Sequence, residues 1–223
     1  MASMIKLTVA RASLILLLIM GTSGCVTATV QEVRQSSTGL SGTDSVVVLG
    51  RRGMTNANET EIQFVSCISN HLNEKEDIYV INEAQFIDAA FPWFEPRTAP
   101  INASELPDLL AIPALAKKID TLNLRYLIWV EGSTTRTDSS GTLACTVAPT
   151  GGGCFGFLSW EKDSSYEASI WDIKKKRTAG KVSSDAVGTS YMPALVVPIP
   201  FIAPVQSSAC SGLSEQISNF LSS

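Results

Sequence analysis

Hydrophobic and polar positions fall into recognisable periods from residue 45 onward. Ser45–Leu49 (SVVVL) is a short unbroken apolar run, the pattern of a strand buried on both faces. Asn58 with Glu61 three residues later resembles a capping box, and Phe64, Val65, Ile68 and Leu72 follow at helical spacing, which predicts a helix over 59–73. Asp77–Ile81 (DIYVI) reads as a second strand. Asn82 caps a short helix through Ala90, and Phe91–Pro96 (FPWFEP) breaks it into an aromatic loop. A helical stretch opens at Ser104 and restarts at Pro113, with Ala114, Leu115, Ile119 and Leu122 on one stripe. Arg125–Glu131 (RYLIWVE) is apolar enough for a central strand.

Farther on, Gly132–Thr142 is polar and reads as a turn or loop, and Thr150–Phe157 (TGGGCFGF) as a tight turn. Tyr166–Asp172 alternates, placing Tyr166, Ala168, Ile170 and Asp172 on one face of a strand. Lys174–Arg177 occupies the next turn, and Ala179–Thr189 returns as a strand. Tyr191–Val205 is apolar, but Pro193, Pro198, Pro200 and Pro204 exclude a regular helix or a central strand. Ala209, Leu213, Ile217, Phe220 and Leu221 end the chain on a helix. No internal repeat is visible. The order of elements predicts an α/β fold: a single mixed-sheet domain over 45–223 with helices packed on the sheet.

The first residues follow another logic. Lys6 and Arg11 precede an apolar core, Ala12–Met20, and a small-residue run, Gly21–Gly24, ends at Cys25. That is the layout of a secretory signal peptide. As a helix the core spans roughly 14 Å, against about 30 Å of bilayer hydrocarbon, so it is too short for a permanent span. Ser23, Gly24 and Cys25 resemble the lipobox of bacterial lipoproteins, with Thr22 where that family usually has Leu. The resemblance implies cleavage after residue 24, diacylglycerol on the Cys25 sulfur and acylation of the new amine, and so a palmitate-type membrane anchor. Val26, in place of Asp after the cysteine, implies the outer membrane under enterobacterial-type sorting. Residues 26–44, rich in Ser, Thr and Gly, read as a flexible tether.

Composition narrows the functions open to the mature chain. Losing Lys6 and Arg11 with the leader leaves 15 basic against 21 acidic residues, a net charge of −6. No basic field is present to hold nucleic acid. Beyond Cys25 the cysteines are Cys67, Cys145, Cys154 and Cys210, an even number in an exported chain, which points to two disulfides. Cys145 and Cys154 bracket the Gly-rich turn as a local staple, and Cys67 would then join an early helix to Cys210 on the last. Other pairings remain open on sequence alone. A zinc site competes poorly, because there is no CxxC pair and His71 is the only histidine.

The segment Ile112–Thr135 (IPALAKKIDTLNLRYLIWVEGSTT), with Val80–Phe86, Tyr166–Asp172 and the turn at Lys174–Gly180, resembles the periplasmic α/β domain of curli-secretion-type lipoproteins. It is also similar to lipoprotein activators of penicillin-binding proteins and to the N-terminal domain of the Tol-system translocation protein. The likeness is architectural and covers about residues 45–222. It implies a membrane-anchored envelope protein that binds an envelope partner.

Catalytic motifs are absent from the sequence: no G-x-S-x-G, P-loop, dinucleotide fingerprint or H-E-x-x-H. Gly151–Gly153 lacks the Lys-Ser/Thr and helix of a phosphate loop. His71 reads as a helix-end residue and Lys174–Arg177 as a solvated turn. Glu131, Glu161, Glu167 and Asp172 are the carboxylates from which a hydrolytic pair would have to come, and strand-end ion pairs are the simpler reading. Partner contact is expected at Phe91, Trp93 and Phe94 in the aromatic loop and at Pro198, Ile199, Pro200, Phe201 and Ile202 in the proline-rich run, where stiff apolar segments lower the ordering cost of binding. The expectation is a non-enzymatic adaptor without cofactor or metal. An oligomeric export component and an envelope hydrolase are the alternatives. The former needs membrane hairpins of about 9–11 residues per strand, and Phe155–Trp160 alone is too short and Gly-rich to supply one.

Overall fold

The computed structural model describes residues 26–52, 59–149 and 151–222. The signal peptide, Cys25 and the Asn58 cap lie outside the described residues. The described residues form one mixed sheet of six strands with five α-helices, so the expected α/β architecture is correct. The strands are β1 (Val26–Arg34), β2 (Ser45–Gly50), β3 (Tyr79–Ile81), β4 (Leu124–Ala148), β5 (Gly151–Asp172) and β6 (Arg177–Ala194). Their order across the sheet is β1-β6-β5-β4-β2-β3. The helices are α1 (Ile62–Asn73), α2 (Glu83–Ala89), α3 (Leu106–Leu110), α4 (Pro113–Asp120) and α5 (Val205–Leu221).

β2 pairs in parallel with both β3 and β4, and every one of its residues is buried, as a strand covered on both faces requires. One face carries Val47, Leu49, Leu127 and Trp129 against Phe86, Phe94, Leu106, Leu115 and Ile119 from α2, α3, α4 and the loop between them. The alternate positions face α1 and α5, where Phe64 stacks on Tyr166 with ring centroids 3.4 Å apart. Asn82 caps α2, its side chain accepting from the Ala84 N–H.

Three expectations fail here. Residues 151–157 are not a tight turn but the start of β5. Residues 26–34 are not tether but an edge strand. Five of the nine are Val or Thr, which favour extended backbone, and Gln35 N–H donates to the Ala179 carbonyl at 2.8 Å. A side chain at Gly180 would lie 2.4 Å from the Val33 carbonyl, so its absence lets β1 close on β6. Val30 and Ser184 both line the space beside Gly212 and Val33 lies against Gly180, so β1 runs antiparallel to β6. Residues 132–142 are likewise not a loop: β4 runs through them for 25 residues, because the run is dominated by Ser and Thr spaced as a strand tolerates.

The described chain divides into two compact units. The larger holds residues 27–135, 163–187 and 205 onward, with all five helices and the core. Its far-separated parts are tied by the Cys67–Cys210 disulfide between α1 and α5. The smaller comprises Val26, residues 136–162 and residues 188–204. No helix among the described residues is long and apolar enough to cross a membrane.

Candidate binding surface

The smaller unit is built from the β4–β5 hairpin and the proline-rich run. Cys145 and Cys154 face each other across the hairpin and are disulfide-bonded, their Cα atoms 4.0 Å apart. The proline-rich run folds back on the end of β6: Tyr191 and Phe201 exchange backbone hydrogen bonds of 2.9 and 2.7 Å, and Ile199 N–H donates to the Pro193 carbonyl at 3.0 Å. The run meets the hairpin through Cys154 N–H, which donates to the Val196 carbonyl at 2.8 Å. Phe157 and Tyr191 pack ring to ring at 5.9 Å. The turn of prolines is thereby held on both sides.

This scaffold displays apolar side chains to solvent. Leu195 is 80% exposed, Phe155 71% and Val147 94%, with Val196, Val197, Ile199, Ile202 and Phe157 also open. No Asp, Glu, Lys or Arg occurs in 139–160 or in 188–204. Charge returns only at the limits of the hairpin segment: the Arg136 guanidinium sits 5.2 Å over the Trp160 ring, and Glu161 accepts from the Thr137 hydroxyl at 3.2 Å. Exposed apolar patches of this kind are uncommon on folded units and recur where proteins make contacts.

The expected contact residues fare unevenly. Pro198 and Phe201 lie within this surface but are half-buried, because their pairing with Ala194 and Tyr191 turns them inward; their neighbours carry the exposure. Phe94 is 3% exposed and packs edge-on against Phe86 at 5.0 Å, so it is a core residue, not a contact residue. Trp93 is half-buried against the same core, with the Lys118 ammonium 5.6 Å from its ring. Phe94, with Trp93 beside it, closes the core after α2, whereas Phe91 is 57% exposed. Ile199 and Ile202, inside the expected Pro198–Ile202 run, are exposed as expected; sequence reasoning missed Leu195, Val196, Val197, Phe155 and Phe157. The usable signal was the pair of long charge-free stretches.

The carboxylates named above are each engaged. Asp172 is buried and accepts from Arg125 Nη2 at 2.9 Å and from Lys175 N–H at 2.8 Å. Glu131 accepts from Trp129 Nε1 at 2.9 Å and Ala103 N–H at 3.1 Å. Glu167 pairs with Lys181 at 2.7 Å. His71 Nδ1 lies 2.9 Å from the Cys67 carbonyl. Cys67, His71 and Cys210 are the only trio of potential metal ligands within 4.8 Å of one another among the described residues. With both sulfurs bonded to each other, the imidazole is the one free donor of that trio. In the larger unit a cavity of about 290 Å³ lies between α3, α4 and the end of β5, lined by Pro107, Leu110, Ile119, Trp171 and Lys176.

No protein-family model matches the chain, and no curated protein matches it. Solved structures similar to it include a PelC variant dodecamer from Paraburkholderia phytofirmans, at 14% identity and a TM-score of 0.41 over 88% of this chain and 100% of that one. A second PelC dodecamer structure from the same organism gives 14% identity and 0.40 over 88% and 99%. The hypothetical protein CT253 from Chlamydia trachomatis gives 10% identity and 0.40 over 80% and 98%. Likeness at this distance transfers no activity.

Proposed function

We propose that this chain is a lipid-anchored protein of the bacterial envelope that acts by binding and not by catalysis: an adaptor seated on the outer membrane, facing the periplasm, that engages an envelope protein. The observation that carries the reading is the stapled, charge-free apolar surface. Large aliphatic side chains held open to water cost solvation free energy, about 25 cal/mol per Å². A chain keeps such a surface where a partner covers it in use. The lipobox-like Ser23-Gly24-Cys25 supplies the anchor, and two disulfides suit an oxidising compartment.

Two measurements test this. The intact mass of the chain extracted from membranes, with and without reductant, reads cleavage before Cys25, acylation and both disulfides together; an unprocessed or unacylated chain removes the anchor from the proposal. Cross-linking in intact cells then reads the surface. Val196→Asp with Ile199→Asp is expected to abolish the cross-linked envelope complex without changing the melting temperature. A complex indifferent to both changes overturns the assignment of this surface.

A further inference from the structure

The Cys67–Cys210 clip has a third member. Cys67 and His71 lie four residues apart on α1, a spacing that puts both side chains on one face of a helix. Cys210 reaches the same point from α5. One donor atom from each of the three falls within 4.8 Å of the others. His71 is the only histidine of the chain. Its Nδ1 stands 3.7 Å from Cys67 Sγ and 2.9 Å from the Cys67 carbonyl oxygen.

We propose that Cys67, His71 and Cys210 form a zinc site when the disulfide is open, so that α1 and α5 are clipped by a covalent bond or by a metal ion but never by both. The proposal is independent of the function assigned to the apolar surface.

Distance is the first support. Around a tetrahedral zinc, sulfur at about 2.3 Å and nitrogen at about 2.0–2.1 Å leave neighbouring S and N atoms roughly 3.6 Å apart. The 3.7 Å between Cys67 Sγ and His71 Nδ1 already meets that. Only the two sulfurs have to separate, from bonding contact to roughly 3.8 Å, and rotation of the two cysteine side chains supplies such a movement.

Charge is the second support. Two thiolates and a neutral imidazole balance a divalent ion. No net charge is then left beside the buried Cys210, where an uncompensated one would be costly. The same donors around monovalent copper would leave one negative charge in excess. Thiolate and imidazole ligands suit zinc, whereas magnesium and calcium take oxygen. The Ser214 hydroxyl, itself buried and 3.7 Å from Cys210 Sγ, is placed to steady that thiolate, as outer partners of metal ligands do. Three protein ligands leave the fourth position to water, which can enter past Cys67 and His71, both half-buried.

The switch is a two-electron exchange. A dithiol opens the Cys67–Cys210 bond, passing two electrons and two protons to the sulfurs and becoming a disulfide itself. Zinc then binds both sulfurs as thiolates and releases the two thiol protons. The reverse exchange, with a disulfide taking the electrons and two protons from solvent, closes the bond and frees the ion.

The test uses the full chain in detergent, oxidised or reduced with a phosphine, with cobalt(II) as the spectroscopic probe for zinc. The reduced chain is expected to bind one equivalent, seen as a thiolate-to-cobalt charge-transfer band that zinc abolishes, and the oxidised chain none. His71→Ala keeps both thiols, and its zinc affinity should fall at least about tenfold. Zinc should raise the melting temperature of the reduced wild type and not that of reduced His71→Ala. Cys145→Ser with Cys154→Ser should leave these results unchanged, whereas Cys67→Ser with Cys210→Ser should remove them. Where the reduced chain unfolds without metal, zinc is expected to restore its far-ultraviolet circular dichroism. A reduced chain that takes up no cobalt overturns the proposal. So do binding by the oxidised chain, an unaltered affinity in His71→Ala, and binding that survives the loss of Cys67 and Cys210.

Discussion

The Tyr166 hydroxyl donates to Glu61 Oε2 across 2.9 Å, joining the N-cap of α1 to β5. The same hydroxyl accepts from Gln206 Nε2 of α5 at 3.2 Å, and Glu61 Oε1 accepts from the Thr134 N–H at 2.8 Å. Four elements of the larger unit therefore meet at two side chains. Tyr166→Phe strands a carboxylate oxygen and an amide, so it should cost about 1–3 kcal/mol in urea denaturation. Glu61→Ala should cost a similar amount, and the double variant less than the sum of the two.

The same residue has a signature at alkaline pH. Burial, and after it the Glu61 carboxylate opposing the hydrogen bonds of Thr134 and Gln206, pushes the Tyr166 phenol up to about 12. A raised folded value means that the native state holds its proton after the unfolded chain has lost it. The contribution to stability is complete below about pH 10 and fades as pH rises toward 12. Absorbance titration at alkaline pH should show a late tyrosine step, and that step should vanish in Tyr166→Phe.

Asp44 makes the opposite case at acid pH. Burial alone would raise its carboxyl, but hydrogen bonds from Lys174 and from the Ser41 amide and hydroxyl outweigh it and hold the group below the ordinary carboxylate range. With a depressed folded value, its contribution is present above about pH 3.9 and is lost as pH falls through the folded value. Lys174→Gln should shift the acid-unfolding midpoint to higher pH. An unchanged midpoint would show that the half-exposed lysine is screened.

Gly132 should tolerate no side chain. Its φ is +136°, and a Cβ would lie 2.1 Å from the Ser165 carbonyl oxygen and 2.7 Å from the Tyr166 Cα. Both obstacles are backbone and cannot swing aside. Gly132→Ala should destabilise by about 2–4 kcal/mol, read as a lower urea midpoint with an unchanged slope.

The two disulfides should separate in experiment. Cys67 and Cys210 are 143 positions apart, and chain-entropy reasoning gives about 5 kcal/mol for closing so long a loop. The Cys67→Ala, Cys210→Ala variant should lose thermal stability sharply. Removing Cys145 and Cys154 should leave the melting of the larger unit intact and open 144–155 to proteolysis.

Much of the larger unit was legible because its elements bury strong periodic patterns. SVVVL, the Phe64–Leu72 stripe, Tyr166–Asp172 and the last helix all form where the spacing places them. The edges were less legible. β1 is mostly exposed, so its valines show no clean alternation, and its Ser/Thr-rich surroundings imitate a linker. The long arms of β4 and β5 are rich in Ser, Thr and Gly, residue types shared by turns and solvated strands. Phe94 could not be placed from sequence, since an aromatic loop reads alike whether it faces water or caps a core.

β1 also changes the mechanics of attachment. Nineteen loose residues between lipid and domain would give a reach of roughly 60 Å when extended, enough for the domain to search the periplasm. With Val26–Arg34 hydrogen-bonded into the sheet, the leash on the proposed anchor shortens to about one peptide unit, close to 4 Å. On that proposed anchor the domain would stay close to the bilayer, and whatever it engages would have to come to it there.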